Sequence, residues 1–306
     1  MKFLRIIFAF LTTYSYLRVM KCMPVVLLLS CLLAFGCRQE VPMADENAVY
    51  YWRTEWRLDS VERAFLKHYD IHRVFCRYFD VVMADGIPMP NATLAFDGDI
   101  PEGITLVPTV YITEDCMHEP HDSLAHKLVK RIVQMNQTND IGGVSEIQID
   151  CDYTARSRKT YYNFLDQVRK EAQAHGLQLS TTIRLHQLSM PEPPADYGVL
   201  MIYNTGDPRK FMERNPILDL RDVLPYLRHL DDYPLPLAAA YPVFLWQRNI
   251  HGVRIEHTVE AEEILRVKQT VEQKRPQLRH TILTYHLEQD NINRYKPETY
   301  EAIYHH

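Results

Sequence analysis

The chain predicts a (β/α)8 barrel, α/β in class, built as one domain over residues 48–306 of 306. Three observations lead there. Eight short apolar runs of strand length alternate with stretches of helical period, the pattern of repeated βαβ units and a parallel sheet. The runs fall within about 250 residues, the length such a barrel requires. No Gly-rich turn follows the first run, which disfavours a doubly wound open sheet, the runner-up.

The elements follow in order. The first run covers residues 49–56. A helix comes next, with Asp59 or Ser60 as cap and Val61, Phe65, Leu66 and Tyr69 as its apolar face. The second run covers 71–82. Residues 85–102 are rich in Gly and Pro and read as a long loop, so the second helix is missing or reduced. The third run is 105–113. An amphipathic helix at 121–135 turns Leu124, Leu128, Ile132 and Val133 inward. The fourth run is 144–152, and the helix over 158–175 is stopped by Gly176. The fifth and sixth runs are 177–186 and 197–204. A helical stretch at 218–230 is interrupted by Pro225. The seventh run, 235–246, precedes a helix at 259–273. The eighth is 281–287, and a short helix at 297–304 closes the chain.

Residues 1–37 read as an address rather than as part of the fold. The first 36 carry Lys2, Arg5, Arg18 and Lys21 but no acidic residue, and their two apolar runs, 3–11 and 24–35, are too short to span a membrane. A basic start before a short apolar stretch is a secretory signal. The more economical signal begins at Met20, leaving residues 1–19 as an untranslated extension or a long basic leader. Leu33-Ala34-Phe35-Gly36-Cys37 is similar to a bacterial lipobox, with Cys37 as the lipidated residue and Cys31 as a second candidate. Phe35 stands where a small residue is usual. Residues 38–47 are polar and acidic and read as a tether. Removing the four basic leader residues takes the net charge from −5 to −9. A body this acidic has no electrostatic reason to bind nucleic acid or anionic lipid, so attachment to the membrane rests on acyl chains. The address is the bacterial cell envelope, lipid-anchored at the outer membrane or facing the periplasm. Cys76, Cys116 and Cys151 read as small buried hydrophobes, with a Cys76–Cys151 bridge left open.

Alternation shows which face of the strands is inside. Glu146, Gln148, Asp150 and Asp152 alternate with apolar residues, as do Gln178, Ser180, Thr182, Arg184 and His186, and Thr109, Tyr111 and Thr113. Period two sends alternate side chains to opposite faces, and the apolar set must meet the helices. The polar set therefore points into the barrel, with Asp150, Asp152, Arg184, His186, Tyr111 and Thr113 at the end where such barrels carry their sites. The bland alternative is a set of structural ion pairs filling the lumen.

Gly143-Val144-Ser145-Glu146-Ile147-Gln148-Ile149-Asp150-Cys151-Asp152-Tyr153 resembles the fourth-strand motif of the chitinase-like glycoside hydrolases (family 18), a TIM-barrel family. Gln148 and Asp150 match its paired inward acids and Asp152 its catalytic glutamate, one methylene shorter. Met201-Ile202-Tyr203-Asn204 resembles the sixth-strand motif whose tyrosine faces the reacting sugar. Tyr285 and His286 stand where the family has a tryptophan. The chain also resembles an uncharacterised family of bacterial barrel lipoproteins, through Tyr51-Trp52-Arg53 and Gln148-Ile149-Asp150-Cys151-Asp152. The first resemblance implies a glycan ligand, Asp152 as general acid/base, Asp150 as its partner and Tyr203 against the sugar. A mechanism without substrate assistance needs another carboxylate, Glu55 or Glu114. Arg53, Arg77, Tyr111, Gln148, Arg184, His186, Asn204, Tyr241 and Tyr285 are the candidate substrate contacts. The rival reading is a non-catalytic carbohydrate-binding or assembly barrel.

No cofactor is implied. His118 and His121 near Cys116, Glu114 and Asp115 form the densest ligand-like cluster, but they read more simply as a loop and helix start, and no metal is expected. Trp52, Trp56 and Trp246, with Tyr51, Tyr203 and Tyr241, are the candidate sugar-stacking faces.

Overall fold

The computed structural model describes residues 45–207, 214–250 and 253–305. The leader, Cys31, Cys37 and most of the expected tether lie outside the described residues. The tether's last two positions, Glu46 and Asn47, belong instead to the first strand. Asn47 donates to the Tyr69 carbonyl at 2.8 Å and the Glu46 carboxylate takes a guanidinium hydrogen bond from Arg73 at 2.7 Å.

Eight parallel strands close a barrel: β1 (Glu46–Tyr51), β2 (Ile71–Ala84), β3 (Thr105–Ile112), β4 (Glu146–Cys151), β5 (Gln178–Arg184), β6 (Tyr197–Met201), β7 (Leu237–Pro242) and β8 (Thr281–Tyr285). Each pairs with its sequence neighbours, and β1 joins β8 to close the ring. The helical layer comprises α1 (Ser60–His68), α2 (Leu124–Thr138), α3 (Arg158–Ala174), α4 (Leu220–Val223), α5 (Ala261–Lys274), α6 (Gln289–Ile292) and α7 (Pro297–Ile303). Apolar stripes bury these helices on the barrel: Phe65 and Leu66 from α1, Leu128 and Ile132 from α2, Leu165 and Val168 from α3.

Local chemistry sets the boundaries. Asp59 is the cap of α1: its carboxylate accepts from the Glu62 N–H at 2.8 Å, and Glu62 accepts from the Asp59 N–H at 3.0 Å, a reciprocal capping box. Gly176, with φ +71°, ends α3 in the left-handed region that glycine adopts without strain. No helix follows β2, as expected, but the segment is more than a loop. Asp85 and Gly86, both at positive φ, turn the chain into a hairpin whose strand Ile87–Asn91 pairs antiparallel with the end of β2. Ala95–Phe96 then pairs with Glu55–Trp56. The first and seventh runs are therefore shorter than expected. β1 stops at Tyr51, before Trp52 enters the mouth, and β7 stops at Pro242, which has no N–H to continue a ladder. Trp246–Ile250 opens a separate hairpin with Val253–His257.

Lumen side chains stack in layers. At the base, Arg73 joins Glu46, Glu146 and the Tyr197 hydroxyl, the last at 3.0 Å, while Tyr197 donates to Glu146 at 2.6 Å. Above it, Tyr50 donates to Gln148 at 2.8 Å and Gln148 to Ser180 at 3.3 Å. These buried polar groups are satisfied by one another, as an interior of low dielectric demands. No helix among the described residues is long and apolar enough to cross a membrane.

Candidate functional site

The third lumen layer opens into a cavity of about 670 Å³ at the C-terminal end of the strands. Its floor is built by parity. Register pairs Tyr111 with Asp150. Asp150 is 3% exposed, accepts from the Thr182 hydroxyl at 2.6 Å and takes the Arg184 Nη2 hydrogen bond at 3.0 Å. Burial holds the Asp150 carboxyl above the ordinary carboxylate range, and the Arg184 charge only partly offsets it. Arg184 Nε donates to Asp152, so one guanidinium joins Asp150 of β4 to Asp152, just past the end of that strand.

A second ion pair faces the same cavity. The β2 register shifts between Arg77 and Phe79, a bulge that takes up Tyr78. In a regular strand, residues three apart face opposite ways. Here the bulge turns both Arg77 and Asp80 inward, and the Arg77 fork grips the Asp80 carboxylate with Nε at 2.7 Å and with Nη2. Tyr78 faces out and donates to Asn136 of α2 at 2.8 Å.

Aromatic rings form the wall. Tyr285 lies at the centre of the cluster, with ring centroids 4.9 Å from Tyr203, 5.6 Å from Trp52 and 5.5 Å from Phe244. Trp246, Asn204, Gly206, Pro216 and His286 complete the lining. Burial pushes the His286 imidazole down to about 4 and the Tyr203 phenol up, while Tyr111, half-buried and near the Asp152 charge, is pushed up to about 12.

Of the sequence candidates, Asp150, Arg184, Tyr203, Asn204, Arg77, Tyr111 and Tyr285 thus share one cavity. Asp152 sits at its rim, half exposed and bound to Arg184. The others lie elsewhere, for identifiable reasons. Tyr241 pairs in register with Thr284, between inward Ala240 and Pro242, so it faces the helix layer with its hydroxyl buried. Gln148 is fully buried below the floor. His186 is exposed because β5 ends at Arg184 and Leu185–Ser189 coils into a 3-10 turn, ending the alternation. Arg53 turns away to Glu62 at 2.9 Å, bracing the α1 cap. Glu55 is exposed, 3.5 Å from Arg57. Glu114 accepts from Ser157 at 2.7 Å and Thr154 at 2.8 Å, and these hydrogen bonds, led by Ser157, hold its carboxyl below the usual range. Trp56 and Tyr51 are core, packed on each other at 4.7 Å. Among the described residues no group of three or more His, Cys, Asp or Glu is placed to hold a metal ion. Cys76, Cys116 and Cys151 are buried free thiols, so the bridge left open between Cys76 and Cys151 is not formed.

Four lining residues had no place in the sequence analysis: Asp80, Gly206, Pro216 and Phe244. Asp80 is hidden by the bulge; its signal is the break in alternation at Tyr78-Phe79. Phe244 follows the end of β7 and carries no periodic signal.

The fold is a closed (β/α)8 TIM barrel, similar in fold to those of chitinases. No family model matches the chain, and no curated protein matches it. Among solved structures, a chitinase from Bacteroides thetaiotaomicron superposes with a TM-score of 0.56 at 13% identity, over 86% of this chain and 99% of that one. A class V chitinase from Pseudomonas fluorescens Pf-5 gives 0.56 at 12%, over 85% and 98%. The spore cortex-lytic enzyme SleL of Bacillus megaterium QM B1551 gives 0.54 at 10%, over 80% and 71%. At these identities the likeness is one of fold.

Proposed function

We propose that the barrel mouth binds a glycan, as a non-catalytic recognition site. The observation that carries this reading is the pairing of an aromatic wall centred on Tyr285 with a floor of ion-paired carboxylates and guanidiniums in one cavity. A sugar ring presents an apolar C–H face and a rim of hydroxyls, and so needs both surfaces at once. The shared fold with chitinases and a cortex-lytic enzyme supports the ligand class.

Binding is favoured over turnover because the acids are already engaged. A general acid must reach the leaving oxygen, but Asp152 lies at the rim with Arg184 on its carboxylate, and Asp80 is held in the Arg77 fork. One observation favours a second reading, hydrolysis. Asp150 is a buried carboxyl held above its ordinary range, in the same cavity as Tyr203. In that reading Asp152 is the acid/base and Asp150 orients the substrate.

A glycan array probed with the folded chain tests the proposal, followed by a reducing-end assay on the sugars it retains. Binding without new reducing ends, unchanged in Asp152→Asn, is the expected result. Turnover by the wild type that Asp152→Asn abolishes selects the hydrolase, and an array with no retained sugar ends both readings.

We also propose that the protein is held at the bacterial cell envelope by acylation of Cys37. The acid-free basic leader, the short apolar run before Gly36-Cys37 and the −9 charge of the remaining chain support it. Incorporation of labelled palmitate, lost in Cys37→Ser together with membrane fractionation, is the expected outcome. Label retained in that variant contradicts it.

A further inference from the structure

Every full charge among the described residues lining the cavity belongs to a pair: Arg77 with Asp80, and Arg184 with Asp150. The Arg184 fork is spent on Asp150 and Asp152, and its remaining Nη1 is closed off from solvent. Arg77 is therefore the guanidinium best placed to receive an anionic ligand. It lies over the Trp52 ring at 5.7 Å, on the aromatic wall itself. Planar, bidentate recognition of carboxylates is what arginine does best. Asp80 already occupies that bidentate position, and only the β2 bulge allows it to. A ligand carboxylate would have to displace a carboxylate held by two hydrogen bonds at 10% exposure, and would meet its charge while doing so.

We propose that Asp80 is a specificity-determining residue: by filling the Arg77 fork it makes the mouth select uncharged sugars and reject uronates. This rests on the glycan-binding reading above. Asp80 need not touch the ligand to act, since its role is to neutralise Arg77 and fix it over Trp52.

The test compares binding of an uncharged β-1,4-linked tetrasaccharide, of glucose or of N-acetylglucosamine, with binding of tetragalacturonate, by calorimetry on the full chain. Wild type is expected to prefer the uncharged oligomer by at least about tenfold. Asp80→Asn frees Arg77 and is expected to shrink that preference by at least about tenfold, through a gain in tetragalacturonate affinity that high salt removes. The double variant Arg77→Gln/Asp80→Asn, which replaces the ion pair with a neutral polar pair, is expected to keep the preference even if Asp80→Asn alone folds poorly. Wild type that binds tetragalacturonate as well as the uncharged oligomers overturns the inference alone, as does an unchanged preference in folded Asp80→Asn or a lost one in the double variant. Wild type that binds none of these sugars overturns this inference, and the glycan reading falls with it only if the array also retains no sugar.

Discussion

Arg184 Nη2 donates to Asp150 Oδ1 at 3.0 Å across the seam between β5 and β4, with the arginine side chain 19% and the aspartate side chain 5% exposed. Both charges have left most of their water, and each is tolerable because of the other. Removing one member of such a pair strands the other, which costs more than the pair itself contributes.

Arg184→Met therefore leaves Asp150 buried against Thr182 without a counter-charge. The expected loss is about 3–5 kcal/mol of unfolding free energy at neutral pH, read by denaturant titration. Adding Asp150→Asn is expected to recover most of it. A loss below about 1 kcal/mol in the single variant would show the pair to be solvated rather than buried.

His286 makes stability depend on pH with a definite sign. Its imidazole is pushed down to about 4 by burial, below the ordinary value of 6.5. The unfolded chain therefore takes up the proton first as pH falls. Stability linked to this group is intact above pH 6.5, is lost as pH drops toward 4, and amounts to about 3 kcal/mol. In His286→Gln that part of the slope is expected to vanish, as measured by chemical denaturation between pH 7 and pH 4. An identical slope in both proteins would contradict the assignment.

Tyr241→Phe separates the helix side of β7 from the mouth. The Tyr241 hydroxyl is buried with no hydrogen-bond partner, so removing it relieves a desolvated polar group. The variant is expected to be as stable as wild type or up to about 1 kcal/mol more so, with sugar affinity unchanged. A fall in sugar affinity would return this residue to the site.

The parts of the site visible in the sequence are those on strands with unbroken polar–apolar alternation. Glu146 to Asp152 and Ser180 to Arg184 announce their inward face, and Asp150 and Arg184 meet where parity predicts. The eight-strand count survives for the same reason, because each strand is a separate apolar run with its own turn signals. Parity cannot be read where the polar marks are missing. β7 is Leu-Ala-Ala-Ala-Tyr-Pro, so nothing in it tells Tyr241 from an inward residue. Parity also fails where one extra residue is inserted: the bulge at Tyr78 brings Asp80 into the mouth against the simple count. At strand ends the chain obeys turn chemistry rather than alternation, which removes His186 and Glu55 from the mouth and admits Phe244.

Tyr285 lies at the centre of the aromatic wall and is part-exposed to the cavity, so its substitution tests the glycan-binding mouth most directly. Calorimetric titration of Tyr285→Ala with the tightest-binding sugar from the array is expected to show affinity reduced at least about tenfold, in a protein whose far-ultraviolet circular dichroism matches wild type. Affinity equal to wild type in that folded variant would place sugar recognition outside this cavity and contradict the account.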